Sequence, residues 1–231
     1  MKSVFTLISF LIFQTCISGG SNPIDHDESL WSPPQTIQKG LKKAYFASGC
    51  FWCVEAIYES VEGVHEAYSG YSGGETKNPN YNQIGTGKTG HAEAVEVLYD
   101  PSVVSFGTLV QVFFGSHDPT TPNRQGPDRG SQYRSVAFYN DASEREIIQN
   151  YIALLVEKEV FSNEIVTEVK PLEKFYYAED YHQNYERLNP NNPYVQQVSI
   201  PRLRRFQKSY PELLKRKTLV LERNSPNKSR P

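Results

Sequence analysis

The residues best suited to chemistry are two thiols three positions apart with two large rings between them, in the run Gly49-Cys50-Phe51-Trp52-Cys53-Val54-Glu55. The thiolate is the reactive form of cysteine. It forms most readily at the start of a helix, where free backbone N–H groups and the positive end of the helix dipole face it. A free thiol with a pKa of about 8.5 is only a few per cent ionised near neutrality, and lowering that value by about 1.5 units makes roughly half of it nucleophilic. Cysteines at i and i+3 in a first helical turn can also close into a disulfide. Phe51 and Trp52 offer an apolar, polarizable surface to the sulfur or methyl group of a substrate. The run points to redox chemistry on a small apolar group. The plainer alternative is a pair of buried, inert cysteines.

The elements that must position this pair follow from periodicity and breakers. A strand over 44–47 leads into it, and a helix over 51–60 follows, ending before Gly63. Strands are predicted over 64–71 and 91–99, where alternation places Glu93 on one face with His91 and Val95 between small alanines. Ser105 caps a helix reaching 114. A strand over 134–139, an amphipathic helix over 143–159, a strand over 164–169 ended by Pro171 and a helix over 178–188 complete the series. Residues 115–133 hold three prolines and three glycines without any period. A loop of that length that runs into a strand is a positioned functional loop. Irregular alternation of strands and helices predicts an α+β fold, a two-layer sandwich of helices on a mixed sheet.

At 231 residues, 38% hydrophobic and 22% charged, the chain suits one soluble globular domain with extensions. Residues 1–20 read as a signal peptide: Lys2 is followed by an apolar run over 4–12 that is short for a membrane span, then by Ser18, Gly19 and Gly20. Cys16 lies just after that run, where a lipoprotein carries its acylated cysteine, although Phe13-Gln14-Thr15 fits such a signal poorly. Residues 21–40 read as a linker with Trp31 as an anchor. With the leader removed, Cys50 and Cys53 are the only cysteines and no methionine remains. Residues 201–231 carry ten Lys or Arg against two Asp or Glu. Such a basic C-terminal extension meets an anionic surface or is simply a solvated helix and tail. Export removes nucleic acid from reach.

Four motifs in order resemble the peptide methionine sulfoxide reductase A family: Gly49-Cys50-Phe51-Trp52, Gly90-His91-Ala92-Glu93-Ala94-Val95, His117-Asp118-Pro119, and the run from Arg124 to Ser135. The similarity spans about residues 42–190, within a catalytic domain set at 41–200. It implies a ferredoxin-like sheet core with long loops and reduction of the S epimer of methionine sulfoxide, free or in proteins, as repair of oxidised protein. Sulfoxide reduction needs an acid and neutral donors at the oxygen as the thiolate attacks the sulfur. Glu93 is the candidate acid, since burial keeps a carboxyl protonated. The family motifs single out Tyr81 and Tyr133 as phenolic donors. They also give Asp128 a hydrogen-bonding role, beside its alternative as an Asx-turn cap.

Cys50 would attack and become a sulfenic acid while Phe51 and Trp52 hold the methyl group. Many relatives have glycine at position 53 and resolving cysteines near the C-terminus. This chain has Cys53 and no later cysteine. Cys53 is therefore the candidate resolving residue of the mature chain, unless Cys16 is retained and can reach, closing a disulfide that an external thiol reductant such as thioredoxin reopens; otherwise an external thiol reduces the sulfenic acid directly. The reading implies no cofactor, no metal and a monomer in the periplasm or anchored to a membrane by lipid. Two rivals are a thioredoxin-like disulfide oxidoreductase, in which the aromatic residue usually precedes the first cysteine, and an exported binding module stapled by a structural disulfide. Gly85-Thr86-Gly87-Lys88-Thr89 lacks the first glycine of a phosphate loop and precedes a strand, so it reads as a turn. No second Cys-x-x-C or close histidine pair supports a metal site.

Overall fold

A computed structural model describes residues 32–33 and 40–216. The leader at 1–20 with Cys16, most of the 21–40 linker with Trp31, and residues 217–231 lie outside the described residues. The elements are strand β1 (Lys42–Ser48), helix α1 (Phe51–Glu59), β2 (Val64–Ser72), α2 (Tyr81–Gly85), β3 (Ala92–Tyr99), α3 (Phe106–Gly115), the two-residue strands β4 (Arg124–Gln125) and β5 (Asp128–Arg129), β6 (Ser135–Tyr139), α4 (Ala142–Glu157), β7 (Glu168–Pro171), β8 (Phe175–Tyr177), α5 (Tyr185–Leu188) and α6 (Ile200–Ser209).

Six strands form one sheet in the order β7-β6-β1-β3-β2-β8. The inner order β6-β1-β3-β2 is antiparallel throughout, the ferredoxin-like arrangement, while β7 joins β6 in parallel and makes the sheet mixed. On one face Phe46 stacks between Tyr58 of α1 and Phe113 of α3, at ring separations of 5.2 and 5.3 Å. The opposite face, with Tyr45, Ala47, Ala92, Ala94, Val136 and Phe138, is covered by Leu172 and Phe175. With both faces covered, all eight residues of β3 are buried, Glu93 and Glu96 included. Alternation alone had marked one face of this strand as partly buried.

Three segments differ from expectation. The helix foreseen over 178–188 is broken up. Phe175–Tyr177 pairs with the β2 edge, the Gln183 side chain exchanges hydrogen bonds with the Ser69 backbone at 3.0 and 3.1 Å, and Asn184 adopts φ +57. Only a turn at Asp180–His182 and α5 are left helical. The strand foreseen over 164–169 begins at Glu168, because the Val166 N–H is engaged by the Pro119 carbonyl at 2.9 Å; Pro171 is tolerated at its end because β7 is an edge strand. The basic segment after 200, read as a solvated helix, is instead part of the packed fold as far as 215. Arg202 and Phe206 are buried, Tyr210 rests on Gly115, and Lys215 N–H donates to the Ser60 carbonyl at 2.9 Å.

The long loop is ordered by its own hydrogen bonds. β4 and β5 form a small hairpin, the Gln125 side chain donates to the Asp118 carbonyl at 3.0 Å, and Gly130 N–H reaches the Asn123 carbonyl at 2.9 Å. These contacts hold the loop over the start of α1.

Candidate active site

The strand-to-helix turn at 49–51 sets the site. Gly49 has φ +92, and a Cβ there would fall 2.6 Å from Gln125 Cβ, so the position demands glycine and lets the loop close on the turn. Cys50 is the N-cap of α1, its carbonyl accepting from Cys53 and Val54 N–H at 3.2 and 3.3 Å. Both cysteines are free thiols and buried, with 6% and 1% of their surface exposed.

The helix-start argument alone places the negative charge on Cys50. The structure points the other way. Burial pushes the Cys50 thiol well above its ordinary range, and the adjacent Cys53 and Glu93 add to this. Cys53 is drawn down to about 6, chiefly by the hydrogen bond from the Cys50 thiol and further by Arg202, Ser199 and Tyr194. The two thiols thus share one proton, and the anion rests on Cys53 in the reduced pair.

Glu93 reaches from the middle of the sheet, where its carboxylate oxygen accepts from the Phe51 N–H at 3.0 Å. It has 2% of its surface exposed, and burial pushes its carboxyl up to about 8 despite that hydrogen bond, which keeps it protonated near neutrality. Tyr81 and Tyr133 are half-buried phenols. Burial first, then the nearby Glu93, raises both well above the ordinary phenol range, so both remain donors; each also senses Cys50 and Asp128. Asp128 sits in the β4–β5 hairpin, where its carboxylate accepts from Tyr194 O–H at 2.6 Å. The Tyr194 oxygen lies 4.0 Å from Cys53 Sγ, so Asp128 is connected to the thiol pair through that phenol.

The two aromatic residues between the cysteines diverge. Phe51 has no exposed surface and packs among Tyr71, Tyr81 and His182 at ring separations of 5.8, 6.1 and 5.0 Å. Trp52 is half-buried, stacked on Tyr185 at 3.8 Å with its edge-on neighbour Tyr194 at 6.0 Å. Its indole N–H donates to His182 Nδ1 at 3.1 Å. Burial holds His182 down to about 4, so the ring is neutral and the acceptor nitrogen is available.

The structure therefore brings all the candidate residues around the head of α1 and adds Tyr194, His182, Glu179 and Arg202. Glu179 accepts from Tyr81 N–H and Tyr71 O–H, both at 2.8 Å, and so carries α2 and its tyrosine into the site. The signal for Glu179 and His182 lay in the dense run Ala178-Glu179-Asp180-Tyr181-His182, whereas Tyr194 and Arg202 carried none.

A free dithiol at a helix start, a protonated carboxyl behind it and phenols around it define a thiol-dependent reductase site on an α+β sheet. A profile of the family described as peptide methionine sulfoxide reductase matches residues 42–214. Peptide methionine sulfoxide reductase MsrA 2 of Synechocystis sp. is 45% identical over 185 residues, covering 80% of this chain and 86% of its own. The MsrA of Nautilia profundicola is 49% identical over 168 residues, covering 73% and 95%. Among solved structures, reduced Mxr1 from Saccharomyces cerevisiae superposes with a TM-score of 0.64 at 34% identity, covering 68% of this chain and 92% of its own. Methionine sulfoxide reductase A of Corynebacterium diphtheriae gives 0.59 at 38% identity, covering 66% and 77%. The chain belongs to the peptide methionine sulfoxide reductase family. It is an oxidoreductase that reduces methionine sulfoxide in a thiol-dependent reaction, and neither a thioredoxin-like oxidoreductase nor a binding module is favoured.

Proposed function

We propose that this chain repairs oxidised protein by reducing the S epimer of methionine sulfoxide through a Cys50 sulfenic acid and a Cys50–Cys53 disulfide. The observation that carries the reading is the free, buried Cys50–Cys53 pair at the head of α1, with the Glu93 carboxyl bonded to the intervening Phe51 N–H at 3.0 Å. The Cys50 proton passes to Cys53 as the Cys50 sulfur attacks the sulfoxide sulfur. Glu93 protonates the oxygen, with Tyr81 and Tyr133 donating to it. The hydroxyl then moves from the substrate sulfur to Cys50, the substrate S–O bond and the new bond between the two sulfurs break, and Cys50 is left as S–OH while methionine leaves. Cys53, having lost its proton again, attacks that sulfur. The S–S bond forms, the S–O bond breaks, and the hydroxide leaves as water on taking a proton.

A thioredoxin-like dithiol then reduces the disulfide, becoming a disulfide itself and returning both thiols. Trp52 supplies the half-buried apolar surface for the substrate methyl, with Phe51 beneath it, and Asp128 acts through Tyr194. The sequence of residues 1–20 supports export to the periplasm or a lipid anchor at Cys16, and no cofactor enters this cycle.

Single-turnover and steady-state assays separate the steps. Cys50→Ser should yield no methionine from either diastereomer, and normal yield excludes it as the nucleophile. Cys53→Ser should release about one methionine per enzyme and then stall with thioredoxin. Unchanged multiple turnover would instead favour direct reduction of the sulfenic acid by an external thiol.

A further inference from the structure

Arg202 is a buried cation without a carboxylate. It has 7% of its surface exposed, and among the described residues no Asp or Glu pairs with it. Its Nε donates to the Ser116 carbonyl at 2.9 Å and one Nη to Ser48 Oγ at 3.3 Å, both neutral acceptors. The other Nη lies 3.5 Å from where a Gly49 Cβ would stand, directly beside the turn that carries Cys50. A guanidinium taken out of water and left without an anion is strongly disfavoured. Its retention in the interior calls for a negative partner nearby. A cavity of about 360 Å³ is lined by Arg202, Cys53, Asp128 and Tyr194, and the ionisable acids on that wall are the Cys53 thiol and Asp128. Asp128 holds the Tyr194 hydroxyl and also feels the Arg202 charge, so the guanidinium faces both acids of this wall.

We propose that Arg202, carried by helix α6, is the positioning residue that holds the negative charge of the dithiol on Cys53 and so prepares Cys53 to attack the oxidised Cys50. This rests on the reading of Cys53 as the resolving thiol. The other groups facing Cys53 divide in two. The Cys50 thiol, Ser199 and the Tyr194 phenol are polar neighbours that favour its anion, although the Ser199 and Tyr194 hydroxyls donate to Glu186 and Asp128, while Glu93 of β3 and Glu186 of α5 are acids that oppose a neighbouring negative charge. Burial also opposes the anion, and Arg202 is the full positive charge that favours it. Exposed Arg205 lines the same cavity from the solvent side.

The test is alkylation of the full reduced enzyme by iodoacetamide at a series of pH values, with fragment-ion mass spectrometry locating the label on Cys53. R202Q retains an N–H donor for the Ser116 carbonyl but loses the charge, and its Cys53 midpoint should rise by at least about one pH unit. R202K retains the charge and should stay within about half a unit of the parent. An unmoved R202Q midpoint, or an R202K rise as large as that expected for R202Q, overturns the assignment; the lysine variant decides even where R202Q fails to fold. Trapping with dimedone should show the Cys50 sulfenic acid living about twofold longer in R202Q at pH 7 and about tenfold longer at pH 5, in step with the lost thiolate fraction. The two readings fail separately. Normal turnover of Cys53→Ser overturns the resolving role, whereas the R202Q and R202K midpoints judge Arg202 alone.

Discussion

Glu93 accepts a hydrogen bond from Phe51 N–H and is otherwise surrounded by the sheet and α1, which holds its proton on up to about pH 8. If it is the acid, methionine formation in a single turnover should fall as the pH rises through that value, because the ionised form has nothing to donate. Glu93→Ala should lose about 10²–10³ in rate, and Glu93→Gln less, since an amide still donates a hydrogen bond. Glu93→Gln should also lack the alkaline decline. A Gln variant that keeps the decline, or equal rates in all three enzymes, removes Glu93 from the role. At this scale the sequence revealed the residues whose chemistry is carried by type and neighbours. Cys50, Cys53 and Glu93 stand in short motifs beside one another or on a regular strand. Tyr194 and Arg202 were illegible because their meaning is purely spatial. Each comes from more than 140 positions downstream of Cys50, and a tyrosine or arginine there has no local pattern to distinguish it from any other.

The turn between β1 and α1 makes the same point one level up. Periodicity predicted both elements within a residue or two, and the Ser105 N-cap of α3 was legible because its side chain accepts from Thr108 N–H at 3.0 Å, a local contact. The 178–188 segment was misread because helix propensity lost to pairing with the β2 edge and to two hydrogen bonds from Gln183, both long-range. Gly49 couples the local and distant kinds of contact. Its positive φ is a local demand, while its missing Cβ leaves room for Gln125 from the loop that carries Asp128. Gly49→Ala should therefore do two things at once. Backbone strain of about 1–3 kcal/mol should lower the melting temperature, and displacement of the Gln125 turn should slow turnover more than tenfold, as a small misplacement of catalytic groups does. A variant that melts lower but turns over normally would show that the loop accommodates the methyl group without moving the site.

At the scale of the whole molecule, several buried carboxyls and imidazoles are held in their neutral forms, and this ties stability to pH with a definite sign. Glu55 of α1 accepts from Ser69 Oγ of β2 and from Asn184 N–H just before α5, joining three elements; burial pushes its carboxyl up to about 8. Burial likewise carries Glu93 to about 8 and, together with the hydrogen bond to Glu66, Glu59 to about 9. These acids keep their protons in the fold but lose them on unfolding near the ordinary value of 4.5. The unfolded chain therefore binds fewer protons, and stability falls as the pH rises from there toward 8. Two histidines act oppositely. Burial holds His117 down to about 3 and His182 to about 4, so the unfolded chain takes up protons below 6.5 that the fold refuses, and stability falls as the pH drops below that point. Between pH 6.5 and 8 the histidines lose their last protons in the unfolded chain and Cys53, drawn down to about 6 in the fold, favours the folded state by one group as the pH rises, but the three carboxyls together outweigh these. The melting temperature should thus decline steadily across this window. Glu55→Gln retains both hydrogen bonds, with its amide oxygen accepting from Asn184 and its amide nitrogen donating to Ser69, and has no proton to lose. Its decline should be shallower, by at most about 1.4 kcal/mol per pH unit, the effect of one group. Melting curves of parent and variant at half-unit steps measure the difference directly, and parallel slopes would mean that Glu55 is ionised in the folded protein.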